Sequence, residues 1–372
     1  MIKSFKVKGF RNFKNELHFN LTAGNYEYNL EGVENGIIKN SLIYGDNASG
    51  KTNLGLALMD IVSHLTDKHI RTEEYDRHYL NLDSNEDSAE FEYVFQFGQD
   101  ELTYTYKKIG FRKLVEEKLL INNKVIIDAD LDTDNIIVNL QGAENLIFDF
   151  SISDLSIVKY IRSNSALKSE TDINSKLFLK MMKFVNNMLS FDSLDGNRYR
   201  GYKTGAENIA SAIIESGNLE NYNSFLRDLG IDYDLIEKDV DGEKRIYAKF
   251  SSGKTADFQG LMSKGTRSLT LFFYWYLSFE KGVQFVFMDE FDAYFHNDVS
   301  RKVIKKLIEN PNIQTIITSH NTTNMSNNLL RPDCYYIIDS NEISNLTNRT
   351  DMIIRKTQNI EKMYRTGFFN NG

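Results

Sequence analysis

Cysteine is almost missing from this sequence of 372 residues, where Cys334 stands alone. One thiol cannot close an internal disulfide, so the fold must rest on its core, and a cytoplasmic location is the natural expectation. Proline is nearly as scarce, with only Pro311 and Pro332, and collagen-like repetition is excluded. No apolar run reaches the ~18 residues of a membrane span, so no membrane partner is expected. There is no excess of positive charge: the net charge is −8. Any contact with nucleic acid must therefore use a local basic patch, because the overall field repels phosphate. Internal repeats and long heptad runs are absent as well.

What the chain does have is bulk for a core. Hydrophobic residues make up 41%, with 25 Phe and 20 Tyr against one Trp. Disorder is thereby excluded. A prior of ~150 residues per domain allows two domains, or one large domain carrying an insertion. The opening stretch from Met1 to Lys8 alternates apolar and basic residues. It reads as a strand and lacks the apolar region of a signal peptide. Residues 16–22 read as its hairpin partner, across Gly9 to Lys14. Ile37 to Tyr44 reads as a third strand, followed by a helical pattern from Asn53 to about His64. From Ala89 to about Ile127 the alternation predicts an antiparallel meander, with turns at GQD and NN. Residues 154–229 take a helical period, and a hairpin turning at Asp241-Gly242 follows between Tyr233 and Phe258. Residues 263–372 resume helix–strand alternation.

Between the third strand and its helix, Gly45-Asp46-Asn47-Ala48-Ser49-Gly50-Lys51-Thr52 satisfies G-x-x-x-x-G-K-[ST], and this flanking is the context the motif needs. The glycines let backbone N–H groups curl round a β-phosphate, and the helix N-terminus adds a favourable dipole. Lys51 would neutralise the β- and γ-phosphates, and the Thr52 hydroxyl would ligate Mg²⁺. Ser252-Gly253-Lys254-Thr255 is a decoy, because Ala248 stands where the first glycine belongs and its flanks read as a hairpin.

The run from Val283 to Met288 reads as a buried strand ending in Asp289-Glu290. Carboxylates at such a strand end face the crevice where α/β sheets bind ligands. Asp289 suits a Mg²⁺ role, and Glu290 suits a general base that polarises water. A solvated strand terminus is the bland alternative. A second strand, Asn312 to Thr318, ends in Ser319-His320, placing a histidine where it could meet a γ-phosphate or orient water. Leu261 to Ser268 precedes a long apolar helix, Leu269 to Phe279. The residues Ser263, Gly265 and Thr266 there offer a second anion cradle or a plain helix cap.

Together these elements resemble the ABC-type ATPase heads of the RecF, SMC and OLD group, and more closely the stand-alone bacterial AAA-family ATP-binding proteins often found in phage-defence operons. The resemblance is carried by Phe10-Arg11-Asn12-Phe13, GDNASGKT at 45–52, SKGTRS at 263–268, MDEFDAYFH at 288–296, TSH at 318–320 and IEKMYRTGFF at 360–369. It implies an α/β P-loop NTPase fold of ABC type: a split head with a β-meander and a mainly helical insertion. Residues 1–64 would form an N-terminal lobe, 65–260 the meander and insertion, and 261–372 a C-terminal lobe. It further implies ATP and Mg²⁺ as cofactors, with Thr52 and Asp289 on the metal. Arg11, Asn12 and residues 45–53, including Asn47, Ala48, Ser49 and Asn53, would lie at the nucleotide. His320 would be the switch histidine, and Asp292 and His296 would lie where subunits communicate. Two heads would pair head-to-tail, with Ser263, Gly265 and Thr266 of one facing the γ-phosphate held by the other's Lys51.

Two departures qualify this picture. SKGTR replaces the LSGGQ of transporter ATPases, and the Mg²⁺-sensing glutamine has only Gln96 and Gln141 as candidates. The chain ends just past the ATPase pattern, so no C-terminal nuclease is expected. The leading functional expectation is an ATPase whose nucleotide-driven pairing, as a homodimer or higher oligomer, switches a separate effector, a toxin or nuclease. The alternative is a DNA-sensing ATPase, supported by the basic and aromatic interleaving of Arg198-Tyr199-Arg200-Gly201-Tyr202-Lys203. A small-molecule kinase would need neither the SKGTR segment nor the His320 strand.

Overall fold

The computed structural model describes residues 1–68, 78–144, 146–148, 155–167, 170–192, 198–202, 209–339 and 341–369, with backbone alone at 192 and 198–200. Two seven-stranded sheets enclose one long helix. The first sheet is antiparallel. It joins β1 (Ile2–Lys8) and β2 (Leu17–Asn20) to the meander β6 (Ala89–Phe97), β7 (Asp100–Lys108), β8 (Leu114–Ile121), β9 (Lys124–Asp130) and β10 (Asn135–Val138). Its strands keep a period of two: on β6, Ala89, Phe91, Tyr93, Phe95 and Phe97 point inward while their neighbours are half-buried. One face is therefore core and the other wet, as expected for an antiparallel sheet. Asn122 and Asn123 turn β8 into β9 with φ of 49° and 64°, the double left-handed geometry of a tight hairpin.

The second sheet has the order β12-β11-β16-β17-β5-β18-β19. Its middle is parallel: β11 (Met188–Asp192), β16 (Phe285–Asp289), β17 (Gln314–Thr318), β5 (Asn40–Tyr44) and β18 (Tyr335–Asp339). The edges β12 (Arg198–Gly201) and β19 (Glu342–Asn345) run antiparallel. All five residues of β5, β16 and β17 are buried, the apolar centres together with polar ends such as Asn40, Gln314 and Thr318, as expected of strands covered on both faces. The expected third strand is interrupted at Lys39. Residues before it form a small ribbon of β3 (Val33–Glu34) with β4 (Ile37–Ile38), and the buried Lys39 Nζ donates to the carbonyls of Ile308 and Asn310.

Helix α1 (Lys51–Leu65) lies between the sheets, with eleven of its fifteen residues buried. A helix apolar on every side is a core helix. Gly55 lies against the Phe287 ring of β16. On the opposite side, Tyr93 donates its hydroxyl proton to the Ala57 carbonyl (2.8 Å). The fully buried Asp60 accepts from Lys108 Nζ (2.7 Å), Tyr106 (2.9 Å) and Tyr79 (3.0 Å). At the far end of α1, His64 stacks on Tyr106 and meets the Tyr104 hydroxyl at 2.8 Å. Tyr104 in turn bonds Glu117, which accepts the backbone N–H of Ile157 (2.7 Å) at the start of α2 (Ile157–Asn164).

The helical reading of 154–229 is correct for α2, α3 (Ile173–Asn186), α4 (Ile209–Glu215) and α5 (Leu219–Asp228). It fails at Met188 to Asp192, where the chain leaves α3 and enters the parallel sheet as β11, and again at Arg198 to Gly201, which pairs with it as β12. A short apolar run cannot be assigned by period alone, and here pairing with β16 decides. The expected hairpin forms as β13 (Asp234–Val240) and β14 (Glu243–Lys249), with β15 (Thr255–Asp257) added. In the decoy segment Ser252, Gly253 and Lys254 form an exposed turn and Thr255 opens β15. The remaining α-helices among the described residues are α6 (Phe258–Leu261), α7 (Lys264–Phe279), α8 (Asn297–Glu309) and α9 (Ile360–Arg365). No helix among the described residues is long and apolar enough to cross a membrane.

The Asp60 cluster anchors α1 to the antiparallel sheet, so Asp60→Ala leaves the buried Lys108 uncompensated. A loss of about 3–5 kcal/mol is expected, measured by urea unfolding, and an Asp60→Ala/Lys108→Met double variant should recover much of it. Equal stability of the single variant and the parent would show that the cluster does not anchor the helix.

Candidate functional site

The parallel strands all end at one edge, and the candidate residues gather there. After β5 the chain turns through Gly45 to Gly50 and enters α1. Gly50 caps the helix at φ 103°, and no side chain caps it. The first N–H groups of α1 are thus left facing the loop, the arrangement that binds anions. A Cβ on Gly50 would approach Asn12 Nδ2 to 2.6 Å, and one on Gly45 would approach Ser49 Oγ to 2.7 Å, so the loop has no room for side chains at either position. Ala48 also takes a left-handed φ of 63°. Asp46, Asn47 and Ala48 are exposed at the rim, with Ser49 half-buried.

Lys51 is 4% exposed and folds its ammonium back onto the carbonyls of Gly45 (2.8 Å) and Asp46 (2.9 Å). Burial holds its pKa below the usual lysine value, opposed by Glu290, Asp289 and Asp46. Ser49 Oγ is buried without a hydrogen-bond partner among the described residues. A strongly donating cradle, a desolvated ammonium and an orphaned hydroxyl fit a bound phosphate chain.

Two strands away, β16 delivers Asp289. Its carboxylate accepts from Thr52 Oγ1 (2.7 Å) and Thr318 Oγ1 (2.6 Å). Burial raises its pKa above the ordinary aspartate value, and the two hydroxyls pull against that. Hydroxyl and carboxylate oxygens beside a phosphate cradle suit Mg²⁺, which takes one or two protein oxygens and completes its shell from phosphates and water. Among the described residues, no cluster of three or more His, Cys, Asp or Glu side chains could hold a metal without such help.

Glu290 follows with φ 43°, a strained conformation for a non-glycine residue of the kind that collects at functional sites. Its N–H donates to Thr318 Oγ1 (2.8 Å), and its carboxylate lies 2.9 Å from His320 Nε2. Thr318, at the end of β17, therefore fixes both acids at once. Sequence reasoning quoted it in TSH and missed this part; its only signal was a hydroxyl residue ending the strand between those of Lys51 and Asp289. Asp292 is turned inward, its Oδ2 accepting from Ser319 (2.8 Å), Ser300 (3.2 Å) and Asn324 (3.2 Å), while His296 is exposed.

The N-terminal hairpin reaches the loop from the other side. Arg11 (φ 50°) donates to Asn53 Oδ1 (3.3 Å), and Asn53 Nδ2 donates to Asn12 Oδ1 (2.6 Å). Ser263, Gly265 and Thr266 form a group of their own at the start of α7. Ser263 caps α7, accepting from the Thr266 N–H (3.1 Å), and a Cβ on Gly265 would lie 2.7 Å from the Tyr294 carbonyl. Ser263 and Lys264 are exposed. Gln96 falls at the opposite end of the sheet from the loop: its carbonyl accepts from Met1, and Ile2 bonds Gln314 at the start of β17. The Gln141 carbonyl accepts from Ser175 Oγ (3.3 Å). The basic segment 198–203 cannot be placed as a contact surface, because the side chains of 198–200 and all of Lys203 lie outside the described residues.

A glycine loop between a buried parallel strand and a core helix, with two acids and a histidine brought to the same edge, defines a P-loop nucleoside-triphosphatase fold of the ABC type. Residues 41–326 match the family described as "AAA domain, putative AbiEii toxin, Type IV TA system", and the chain belongs to that family. No curated protein matches it. Solved structures similar to it include an SMC head domain from Thermotoga maritima, 15% identical over 92% of this chain and 97% of that one, with a TM-score of 0.45. An SMC head bound to the C-terminal winged-helix domain of ScpA is 15% identical over the same shares, with a TM-score of 0.47. An SMC head derived from Pyrococcus furiosus, bound to the C-terminal domain of ScpA, is 12% identical over 92% and 95%, with a TM-score of 0.44.

Thr318→Val should strand an Asp289 oxygen and the Glu290 N–H, costing about 1–3 kcal/mol of stability, whereas Thr318→Ser should not. Thermal unfolding of the two variants distinguishes the hydroxyl from the methyl; equal losses would remove the bridging role.

Proposed function

We propose that this protein binds ATP at the Gly45–Thr52 loop and hydrolyses it, and that ATP joins two copies whose pairing switches a separate effector. The observation that carries the reading is the assembly of Lys51, Thr52, Asp289, Glu290 and His320 at one sheet edge, through the Thr52–Asp289 and His320–Glu290 contacts at 2.7 and 2.9 Å.

The roles follow from chemistry. The N–H groups of α1 and the Lys51 ammonium neutralise the β- and γ-phosphates. Thr52 and Asp289 would hold Mg²⁺, which when bound supplies further charge neutralisation on the phosphate oxygens. Glu290 accepts a proton from the attacking water as its oxygen bonds to the γ-phosphorus and the bond to the β-phosphate oxygen breaks, leaving ADP and phosphate. His320 holds the Glu290 carboxylate in position from the neighbouring strand. Arg11, Asn12 and Asn53 border the nucleotide on its α-phosphate side.

The exposure of Ser263 and its separation from the loop's own hydrogen bonds support its acting on a second copy. Ser263, Gly265 and Thr266 would close over the γ-phosphate held by the partner's loop. ATP would then favour the paired state through contacts that ADP cannot make, and hydrolysis would set its lifetime. A link to toxin–antitoxin systems accords with the family's description, and a separate toxin or nuclease effector and a role in anti-phage defence accord with the resemblance drawn from the sequence.

Lys51→Ala should abolish ATP binding by calorimetry, and unchanged affinity would remove the site assignment. Glu290→Gln should keep ATP, slow phosphate release by ~10²–10⁴-fold and accumulate dimers in light scattering. Turnover at the parent rate would assign the base elsewhere, and an ATP-loaded monomer would refute the pairing.

A further inference from the structure

The amide chain that starts at Arg11 does not stop at Asn12. Asn12 Nδ2 donates to Asn341 Oδ1 at 2.7 Å. Asn341 sits in the turn between β18 and β19, at φ 71°, with Asp339 and Glu342 paired on either side. The same hairpin closes on the first residue of the phosphate loop, since a Cβ on Gly45 would collide with the Ile338 carbonyl. Two hairpins distant in sequence, around Asn12 and around Asn341, thus meet over the loop through one side-chain hydrogen bond.

The direction of this chain is informative. A triphosphate in the loop has its γ end at Lys51, Glu290 and His320, and its α end at the helix N-terminus, where Asn53 sits. A nucleoside attached at that α-phosphate would lie on the side of Asn53, to which Asn12 and, through it, Asn341 are joined by hydrogen bonds. Asn341 is half-buried, and its Oδ1 is committed to Asn12. Its Nδ2, with two protons, is the donor it can offer to a ligand.

We propose, resting on the reading that this loop binds ATP, that Asn341 is a further binding residue that donates from Nδ2 to an acceptor on the nucleoside, while Asn12 holds its amide in orientation. The left-handed backbone favours Asn or Gly at this position, which allows a clean test. Asn341→Gly keeps the turn and removes the amide.

Affinities of the parent and Asn341→Gly are measured for ATP, for GTP and for inorganic tripolyphosphate, which lacks a nucleoside. The expected result is a roughly three- to tenfold weaker ATP affinity, the scale of one hydrogen bond, with tripolyphosphate affinity unchanged. A loss confined to ATP assigns the acceptor to adenine N1, and an equal loss for GTP assigns it to the ribose or to the N3 or N7 that both purines share. Unchanged ATP affinity overturns the proposal, as does a parallel fall for ATP and tripolyphosphate, which would mark Asn341 as a support of the loop. A parent protein that binds neither ligand would instead overturn the ATP site itself, and this proposal with it.

Discussion

The burial of α1 on every side is the constraint from which the site follows. A helix gripped by Phe287 on one sheet and by Tyr93, Tyr106 and Lys108 on the other has no freedom to tilt. Its uncapped N-terminus therefore points at one place, beside the end of β16. The dipole and N–H groups at that end are worth little in water but much more in a desolvated cradle.

The acids depend on the same alignment. Asp289 is buried, and its charged form is costly unless hydroxyls compensate. Thr52 comes from α1 and Thr318 from β17, so the compensation exists only while helix and both strands stay in register. Glu290 adds a strained backbone that the Thr318 bond holds in place. The strand between the loop and the acids thus does more than fill the sheet: it sets the spacing across which Lys51 and Asp289 face each other.

The far end of α1 carries a second set of buried contacts. There the helix reaches His64, Tyr104 and Glu117, and through Glu117 the start of α2. Although burial alone would raise it, the Glu117 pKa is held below the ordinary glutamate value by hydrogen bonds from His64, Ser156 and Tyr104. One rigid element therefore touches the phosphate cradle at one end and the helical segment at the other.

Local chemistry made much of this legible in the residue order. The glycines and Lys51 of the loop, the acids at 289–290 and the alternation of the meander each reflect a requirement met within about ten residues. The double asparagine turn and the Asp241-Gly242 turn are of the same kind, since left-handed backbone selects its own residues. What pairing and packing decided was out of reach. Met188 to Asp192 has no period that separates strand from helix, so only its place beside β16 made it β11. Likewise, His320 marked the end of β17 as part of the site, but nothing in the residue order announces that Thr318 bridges the two acids or that Asn341 meets Asn12, because their partners lie 28 or more residues away in sequence. Backbone geometry is chosen by neighbours along the chain, whereas a hydrogen bond across a crevice exists only once the sheets have closed round α1.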